Sequence, residues 1–563
     1  MKEVGIVKKL ISVLLTLLLA TTSVFALAAD GETVFEGEGS GYGGKLRLEV
    51  VLEGDEMTDI RIVEDHESSP VMTRAFPVIR ERILEAQTPV VDSVSAATFT
   101  SYAVKSAVAD ALTKAGKEVE KITFATTGPV EEAKELEPVH TQIVIVGGGP
   151  AGLAAAIGAK ESGAEDVILV EKLDILSGNG KFDMNFFDLI NSKAQKGAGV
   201  EYTVEQFIAD KENAGNTPER LKVWAEGENE LDAWLRSFGV ELNHNYGGTN
   251  HMAEADAYAG EHIQDGMEAR VKALGVDVRT GTKGVDFLFD GDKVVGVKVQ
   301  RKNETYDIFA DAVILATGGF SANKELLAKY APGAETVETS NQMGATGDFV
   351  PLFEQYGFKT ANMDKLSIFK LIIKNRRDLT GAGDGFILVN EKGERFADES
   401  SSGLGLAHAI LDQGKVFYIY DQNLYESAYR LQKHNKLGYH VKADTLDELA
   451  EQLGVDAAGL KASVDAFNKA VEGEAADPFR KEAFTRKFKA EGPYYGVQVE
   501  SAIHMTKGGV VANEKAQVLN NDDAVVEGLY AAGEVTWISG AYSAAVVFGR
   551  IAGQQAAAQV LGK

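Results

Sequence analysis

Between Gln142 and Glu171 the chain passes through a strand, a glycine turn, a helix, a second strand and an acid, an order that leaves few folds open. Ile143 to Val146 is a continuous apolar run of the kind buried in a parallel sheet. Ala151 to Ser162 is alanine-rich and predicted helical, and Val167-Ile168-Leu169-Val170 is the next strand. Between them, Gly147-Gly148-Gly149-Pro150-Ala151-Gly152 places glycines where a dinucleotide-binding βαβ unit needs them. Gly147 permits the tight turn, Gly149 lets backbone approach a pyrophosphate, and Gly152 lets helix and strand pack closely. Glu171, at the end of the second strand, is placed to accept ribose hydroxyl protons. Glycines also punctuate ordinary turns, so it is the complete context that points to a dinucleotide.

A chain of 563 residues, 45% of them hydrophobic, can bury a large core and should hold more than one domain. From Gly37 to Val63 apolar and polar residues alternate, which predicts a small antiparallel sheet with a turn at Gly54-Asp55. Helices are expected over about Phe76 to Gln87 and Ser101 to Ala115, the second carrying Ala103, Ala107, Val108 and Ala111 inward. Thr98 falls just ahead of that second helix, where free backbone N–H groups and the helix dipole favour a phosphate. Residues 128–140, with two prolines and a run of glutamates, read as a linker.

The formal charge of −27 argues against nucleic acid or an anionic membrane face as partner. The absence of cysteine excludes thiolate iron–sulfur clusters, a C-x-x-C-H haem attachment, a redox-active disulfide and a lipoprotein anchor. At the front, Lys2, Lys8 and Lys9 precede apolar Leu10 to Ala20, and Ala26-Leu27-Ala28 offers a small-x-small cleavage site. Residues 1–29 therefore read as a cleaved secretory leader, with an uncleaved anchor as the alternative. In both cases the body is extracytoplasmic: secreted, cell-surface or periplasmic. No stable membrane insertion is expected after leader cleavage.

Asp92-Ser93-Val94-Ser95-Ala96-Ala97-Thr98 resembles the D-x-x-[ST]-G-A-T sequence on which a flavin transferase esterifies FMN to the last threonine, here Thr98. Ala312-Val313-Ile314-Leu315-Ala316-Thr317-Gly318-Gly319 and Gly528-Leu529-Tyr530-Ala531-Ala532-Gly533-Glu534 resemble the later nucleotide-contacting segments of two-dinucleotide-fold flavoproteins, which points to FAD rather than NAD. Residues from about 141 to 558 resemble the flavoprotein subunit of the fumarate reductase and succinate dehydrogenase superfamily, particularly its soluble single-chain fumarate, urocanate and acrylate-type reductases. The segments that carry this are Glu171-Lys172 with Gly178-Asn179, Ser340-Asn341-Gln342 with Gly344-Ala345-Thr346-Gly347-Asp348, and Ile387-Leu388-Val389-Asn390 running to Arg395-Phe396. His504-Met505-Thr506-Lys507-Gly508-Gly509 and Phe548-Gly549-Arg550 complete them.

The resemblance implies an α/β chain: an FMN-binding α+β domain (30–127), the linker, then an FAD-binding two-dinucleotide-fold domain (141–364 and 491–563) with an α+β capping domain inserted at 365–490. It implies FAD held by Gly147, Gly149, Gly152, Glu171, Asn179, Gly180, Asp348, Glu534 and Ser543. That FAD should be non-covalent, because covalent members use a histidine after Glu171 and Leu173 to Phe187 contains none. It implies electrons from an external donor protein or quinol-linked carrier, passing through Thr98-linked FMN and FAD to a small-molecule acceptor, and a flavin transferase for maturation. A respiratory terminal reductase is one such role.

Departures from the family bear on the acceptor. The family's arginine proton donor follows an R-F-x-x-E stretch; here Arg395-Phe396-Ala397-Asp398-Glu399 is followed by Ser400-Ser401-Ser402-Gly403. An H-P-T segment and a T-E pair are replaced by Ser367-Ile368-Phe369-Lys370-Leu371 and Asp378-Leu379-Thr380. The H-G-x-N-R-x-G loop that grips a substrate carboxylate is shortened to Thr536-Trp537-Ile538-Ser539-Gly540-Ala541-Tyr542. His504 stays in register and would donate to an oxyanion formed during reduction. The missing acid is sought in Arg377, within the cluster Lys370, Lys374, Arg376 and Arg377, or in Tyr542; a solvated face and simple packing on the flavin are the respective alternatives. Tyr425, Tyr429 and His434 lie in a polar aromatic stretch with no assigned role. The expected activity is reduction of an enoate-type acceptor other than fumarate. A ketosteroid-dehydrogenase-like dehydrogenase or oxidase, and a non-catalytic flavin electron carrier, are the alternatives.

Overall fold

The computed structural model describes residues 32–41, 44–67, 69–128, 132–182, 187–212, 216–255, 257, 259–374, 380, 384–479, 486–537 and 541–563. The expected leader and Arg377 lie outside the described residues. The chain divides into two units, Met1–Glu132 and Ala133–Lys563.

In the first unit the strands Glu32–Ser40, Lys45–Glu53 and Glu56–Asp65 form an antiparallel sheet, with the expected turn at Gly54 and Asp55. Period-two alternation sends Leu46, Leu48 and Val50 to one face, where all three are buried. The helix Thr98–Lys114 covers that face with Ala103, Val104, Ala107, Val108 and Ala111. Burying each valine or leucine contributes roughly 1.5–3 kcal/mol. The other helix, Ser69–Ala86, begins upstream of the expected Phe76 and holds Pro77 inside it. A proline is best tolerated in a first turn, which is why the pattern starts there; burial of Met72 and Ala75 extends the helix ahead of it.

The core of the second unit is a nine-stranded sheet. Asp277–Arg279, Val167–Val170, Val139–Val146 and the long strand Glu304–Leu315 run parallel and side by side. The first half of Glu304–Leu315 pairs antiparallel with Lys293–Arg301, and its end pairs in parallel with Val525–Ala531. Helix Pro150–Glu161 lies on this sheet against the C-terminal helix Ala541–Val560. Part of the expected linker belongs here. Lys134–Glu135 pairs with Glu304 and Thr305, and the first strand starts at Val139, because the backbone N–H groups of Lys134 and Leu136 find the carbonyls of Asn303, just ahead of that long strand, and Thr305, on it.

A second, five-stranded sheet, built largely from the segment expected as the cap, is ordered Leu366–Ile373, Tyr494–Thr506, Val416–Asp421 and Phe386–Asn390, with Val441–Ala443 alongside. This sheet takes in Tyr494–Thr506, beyond residue 490. Tyr494–Thr506 is shared: it starts among the cap strands and ends at His504 to Thr506 beside the nucleotide fold.

Candidate functional site

The strand–turn–helix at Gly147–Gly152 forms one wall of a cleft that encloses about 1260 Å³ of non-atom space, part of it open to solvent. Gly147 has φ 110°, and a Cβ there would stand 2.3 Å from the carbonyl oxygen of Ala316. A Cβ at Gly152 would fall 1.8 Å from Gly147 O, so this glycine supports the turn without lining the cleft. Gly149 caps the helix with no side chain, and Pro150 follows it without an N–H. The remaining first-turn N–H groups lack a side-chain cap, and a Cβ on Gly149 would meet nothing closer than 3.9 Å. Such an open helix N-terminus fits a pyrophosphate.

Glu171 lines the same cleft, its carboxylate accepting from Gly148 N (2.7 Å) and Leu173 N (2.8 Å). Burial raises its pKa against the opposing effect of those two N–H groups. Each carboxylate oxygen keeps acceptor capacity for a ribose hydroxyl, so the residue fits an adenosine. Asn179 and Gly180 line the cleft beside it, and Asn179 Oδ1 accepts from the backbone of Gln342 (2.8 Å). Asp348 also lines it, paired with Lys172 (2.6 Å) and Lys283 (2.8 Å). Burial pushes its carboxyl up, but the two ammonium groups win and hold it below the ordinary value. Glu534 accepts from Thr506 N (2.8 Å) and Thr506 Oγ1 (3.1 Å) on the cleft floor.

Ser543 does not line the cleft. It is buried in the C-terminal helix near the fully buried Glu228, whose carboxyl burial drives well above the ordinary range; Trp224 Nε1 donates to that carboxyl (2.7 Å). One helical residue earlier, Tyr542 does reach the cleft. Its hydroxyl accepts from Gln264 Nε2, and Phe187 meets its ring edge-on at 5.0 Å.

His504 lines the same cleft. Its Nδ1 is 2.9 Å from Ser340 Oγ, and its ring stacks on Phe369 at 3.7 Å between centroids and 13° between planes. The R-F-x-x-E stretch forms a buried ion network: Arg395 Nε and Nη2 each lie 2.8 Å from Glu399, and Nη1 is 2.5 Å from Asp477. This fixes the segment that leads into the helix Gly403–Gln413. Of the basic cluster, Lys370 donates to the carbonyls of Glu399 (2.6 Å) and Ser401 (3.2 Å), and Lys374 pairs with Glu500. Both described lysines thus serve backbone and surface partners.

In the first unit Thr98 is the first residue of its helix rather than a residue ahead of it, and it is exposed. Ala97 N bonds Val94 O (3.0 Å) and Val94 N bonds Ser101 Oγ (2.9 Å), which folds the preceding turn tightly. Buried Lys105 Nζ ties Val91 O, Ser93 Oγ and Thr126 O together, and Arg82 holds the carbonyls of Asp92 and Ser93. Lys105, Arg82, Lys283 and Gln264 carry no recognisable sequence signal, because their partners become neighbours only in the fold.

An FAD binding domain model matches residues 142–545, and an FMN-binding domain model matches residues 41–113. The chain belongs to the fumarate reductase-like flavoproteins. FAD and FMN are its cofactors. Among the relatives of this flavoprotein, the NADH:fumarate oxidoreductase of Klebsiella pneumoniae is 32% identical over 541 residues, 92% of this chain and 58% of that protein. The present chain thus spans little more than half of that relative. The urocanate reductase of Eggerthella lenta is 30% identical over 575 residues, 96% of this chain and 94% of that protein. The open conformation of a flavocytochrome c3 fumarate reductase superimposes with a TM-score of 0.67 at 33% identity, covering 75% of this chain and 79% of that one.

Proposed function

We propose that this flavoprotein is an extracytoplasmic reductase that passes electrons from an external donor, through FMN on Thr98 and then FAD, to the C=C bond of an enoate-type small molecule other than fumarate. The observation that carries the reading is a cleft lined by both a nucleotide-binding turn and an anchored His504, on a chain that also holds an FMN-binding domain. FAD, when bound, supplies hydride chemistry. The chain supplies the rest. Gly147, Gly149 and Glu171 hold the dinucleotide, and Lys172 with Lys283 neutralises Asp348 beside it. Phe369 and Ser340 fix the imidazole plane; in the tautomer whose Nδ1 accepts from the Ser340 hydroxyl, in place of that hydroxyl's longer contact to Ile503 O (3.4 Å), the ring carries its proton on Nε2. That tautomer donates to charge developing on an acceptor's carbonyl. Tyr542 is the proton donor we assign within the described residues; Arg377, outside them, is the other.

A compact dicarboxylate needs cations at both ends, and the two family arginines are absent; leaving one carboxylate buried and unpaired costs several kcal/mol. The supporting test is steady-state turnover with a reduced viologen donor. Unsaturated monocarboxylates should outrun fumarate, and His504→Ala should lose about a hundredfold in rate. Efficient fumarate turnover would defeat this account of the pocket. Export rests on Lys2 to Ala28, and a mature N-terminus beginning just after Ala28 would support it.

A further inference from the structure

The cap helix Tyr429–Lys436 lies on the seam between cap and nucleotide fold. Tyr429 packs on Tyr246 at 4.5 Å between ring centroids, its hydroxyl reaches Met252 Sδ at 3.8 Å, and Lys433 Nζ donates to Ala257 O at 2.8 Å. Both ends of this seam connect to cleft-lining groups. Met252 sits on the strand Asn250–Met252 that pairs with Phe187, whose ring meets Tyr542. His434 Nδ1 contacts Thr380 Oγ1 at 3.1 Å, and Thr380 N bonds Leu371 O on the strand that carries Phe369 against His504.

On this helix Arg430 stands out. Its guanidinium is half-buried, has no hydrogen-bond or carboxylate partner among the described residues, and buries an Nε with nothing to donate to. The groups close enough to affect it electrostatically are the phenols of Tyr246 and Tyr418 and the imidazole of His434; desolvation lowers its pKa, and the two phenols oppose this without overcoming it. One turn along, fully buried His434 leaves Nε2 without a partner too. A cation withdrawn from water without an anion is costly to keep in a chain of net charge −27, which has acids in excess to pair with it. An incoming anion removes that cost. A guanidinium fork matches a carboxylate, and Tyr246, 40% exposed beside it, leaves a route from solvent along a flat aromatic wall.

We propose that Arg430 is the specificity-determining residue of this enzyme: it binds the carboxylate of a planar unsaturated monocarboxylate lying along Tyr246 and Tyr429, in place of the arginines missing at Gly403 and in the Thr536–Tyr542 loop. This rests on the reductase reading, but binding tests it without turnover. Oxidised holoenzyme is titrated with acrylate, urocanate and cinnamate and with their amides, followed by the visible flavin spectrum, in wild type, Arg430→Gln and Arg430→Lys. The expected result is that at least one acid binds wild type at least tenfold more tightly than its amide. Arg430→Gln should abolish that preference, and Arg430→Lys should restore part of it. The melting temperature of Arg430→Gln should equal or exceed that of wild type, since an unpaired half-buried charge is gone. Overturning results are acids that bind no better than amides, an acid preference that survives Arg430→Gln, a panel in which no acid binds, or a lower melting temperature, which would mark Arg430 as structural. Acid binding without reoxidation of reduced flavin by any acid would instead defeat the reductase reading and leave the Arg430 site standing.

Discussion

Ala96 holds a left-handed conformation, φ 66°, in the turn that delivers Thr98 to its helix, at the position where the flavinylation motif has glycine. An L-residue with a Cβ is strained there by about 1–2 kcal/mol. Ala96→Gly should therefore stabilise the FMN domain by about 1 kcal/mol, read as a higher denaturation midpoint; an unchanged or lower midpoint would mean the turn is held without strain. Thr98, exposed at the first helical position, is the hydroxyl we expect to carry FMN. Protein made with a flavin transferase should gain one FMN in intact mass and Thr98→Ala should not, while acid precipitation releases FAD from both. Wild-type protein without the increment would refute the assignment. At this scale, legibility followed chain locality. Gly147, Glu171 and Thr98 are each marked by a short segment and so could be singled out directly, and His504 by the glycine pair that follows it. Arg430 and Lys283 could not be read, because one is defined by what it fails to meet and the other by Asp348, far along the chain.

The cap shows the same limit for elements. Alternation marks its strands, but the pairing of Tyr494–Thr506 with Leu366–Ile373 joins segments far apart along the chain, which no local pattern reveals. Inside it, Tyr420 OH bonds His440 Nδ1 (2.7 Å), His440 Nε2 meets Thr380 Oγ1 (3.2 Å), and Asn435 donates to Tyr420 OH (2.7 Å). Burial, helped at His434 by neighbouring His440, Arg430 and Lys433, lowers both imidazoles from 6.5 to about 3. The folded cap keeps them neutral while the unfolded chain protonates them below 6.5. Their contribution is thus fully present above pH 6.5 and lost as pH falls toward about 3, by at most about 1.4 kcal/mol per pH unit for each histidine. Thermal midpoints should drop through that window, and replacing both histidines by glutamine should flatten the slope. A slope unchanged by the double replacement would assign the acid lability to other groups.

For the whole molecule, composition limited the chemistry before any fold was considered: without cysteine, electrons have flavins to travel on, and the two matched domains supply one each. None of the helices among the described residues is long and apolar enough to cross a membrane. What the acceptor is was least legible, because the two arginines expected from the family resemblance are missing and the replacement proposed for them, Arg430, carries no motif of its own. The central claim is electron flow from FMN through FAD to an unsaturated acceptor. It is tested most directly by mixing fully reduced holoenzyme anaerobically with unsaturated monocarboxylates and following both flavins. Both should be reoxidised by at least one enoate, and Thr98→Ala should show FAD reoxidation alone at an undiminished first rate. Reduced flavins left untouched by every enoate, or FMN reoxidised while FAD stays reduced, would contradict it.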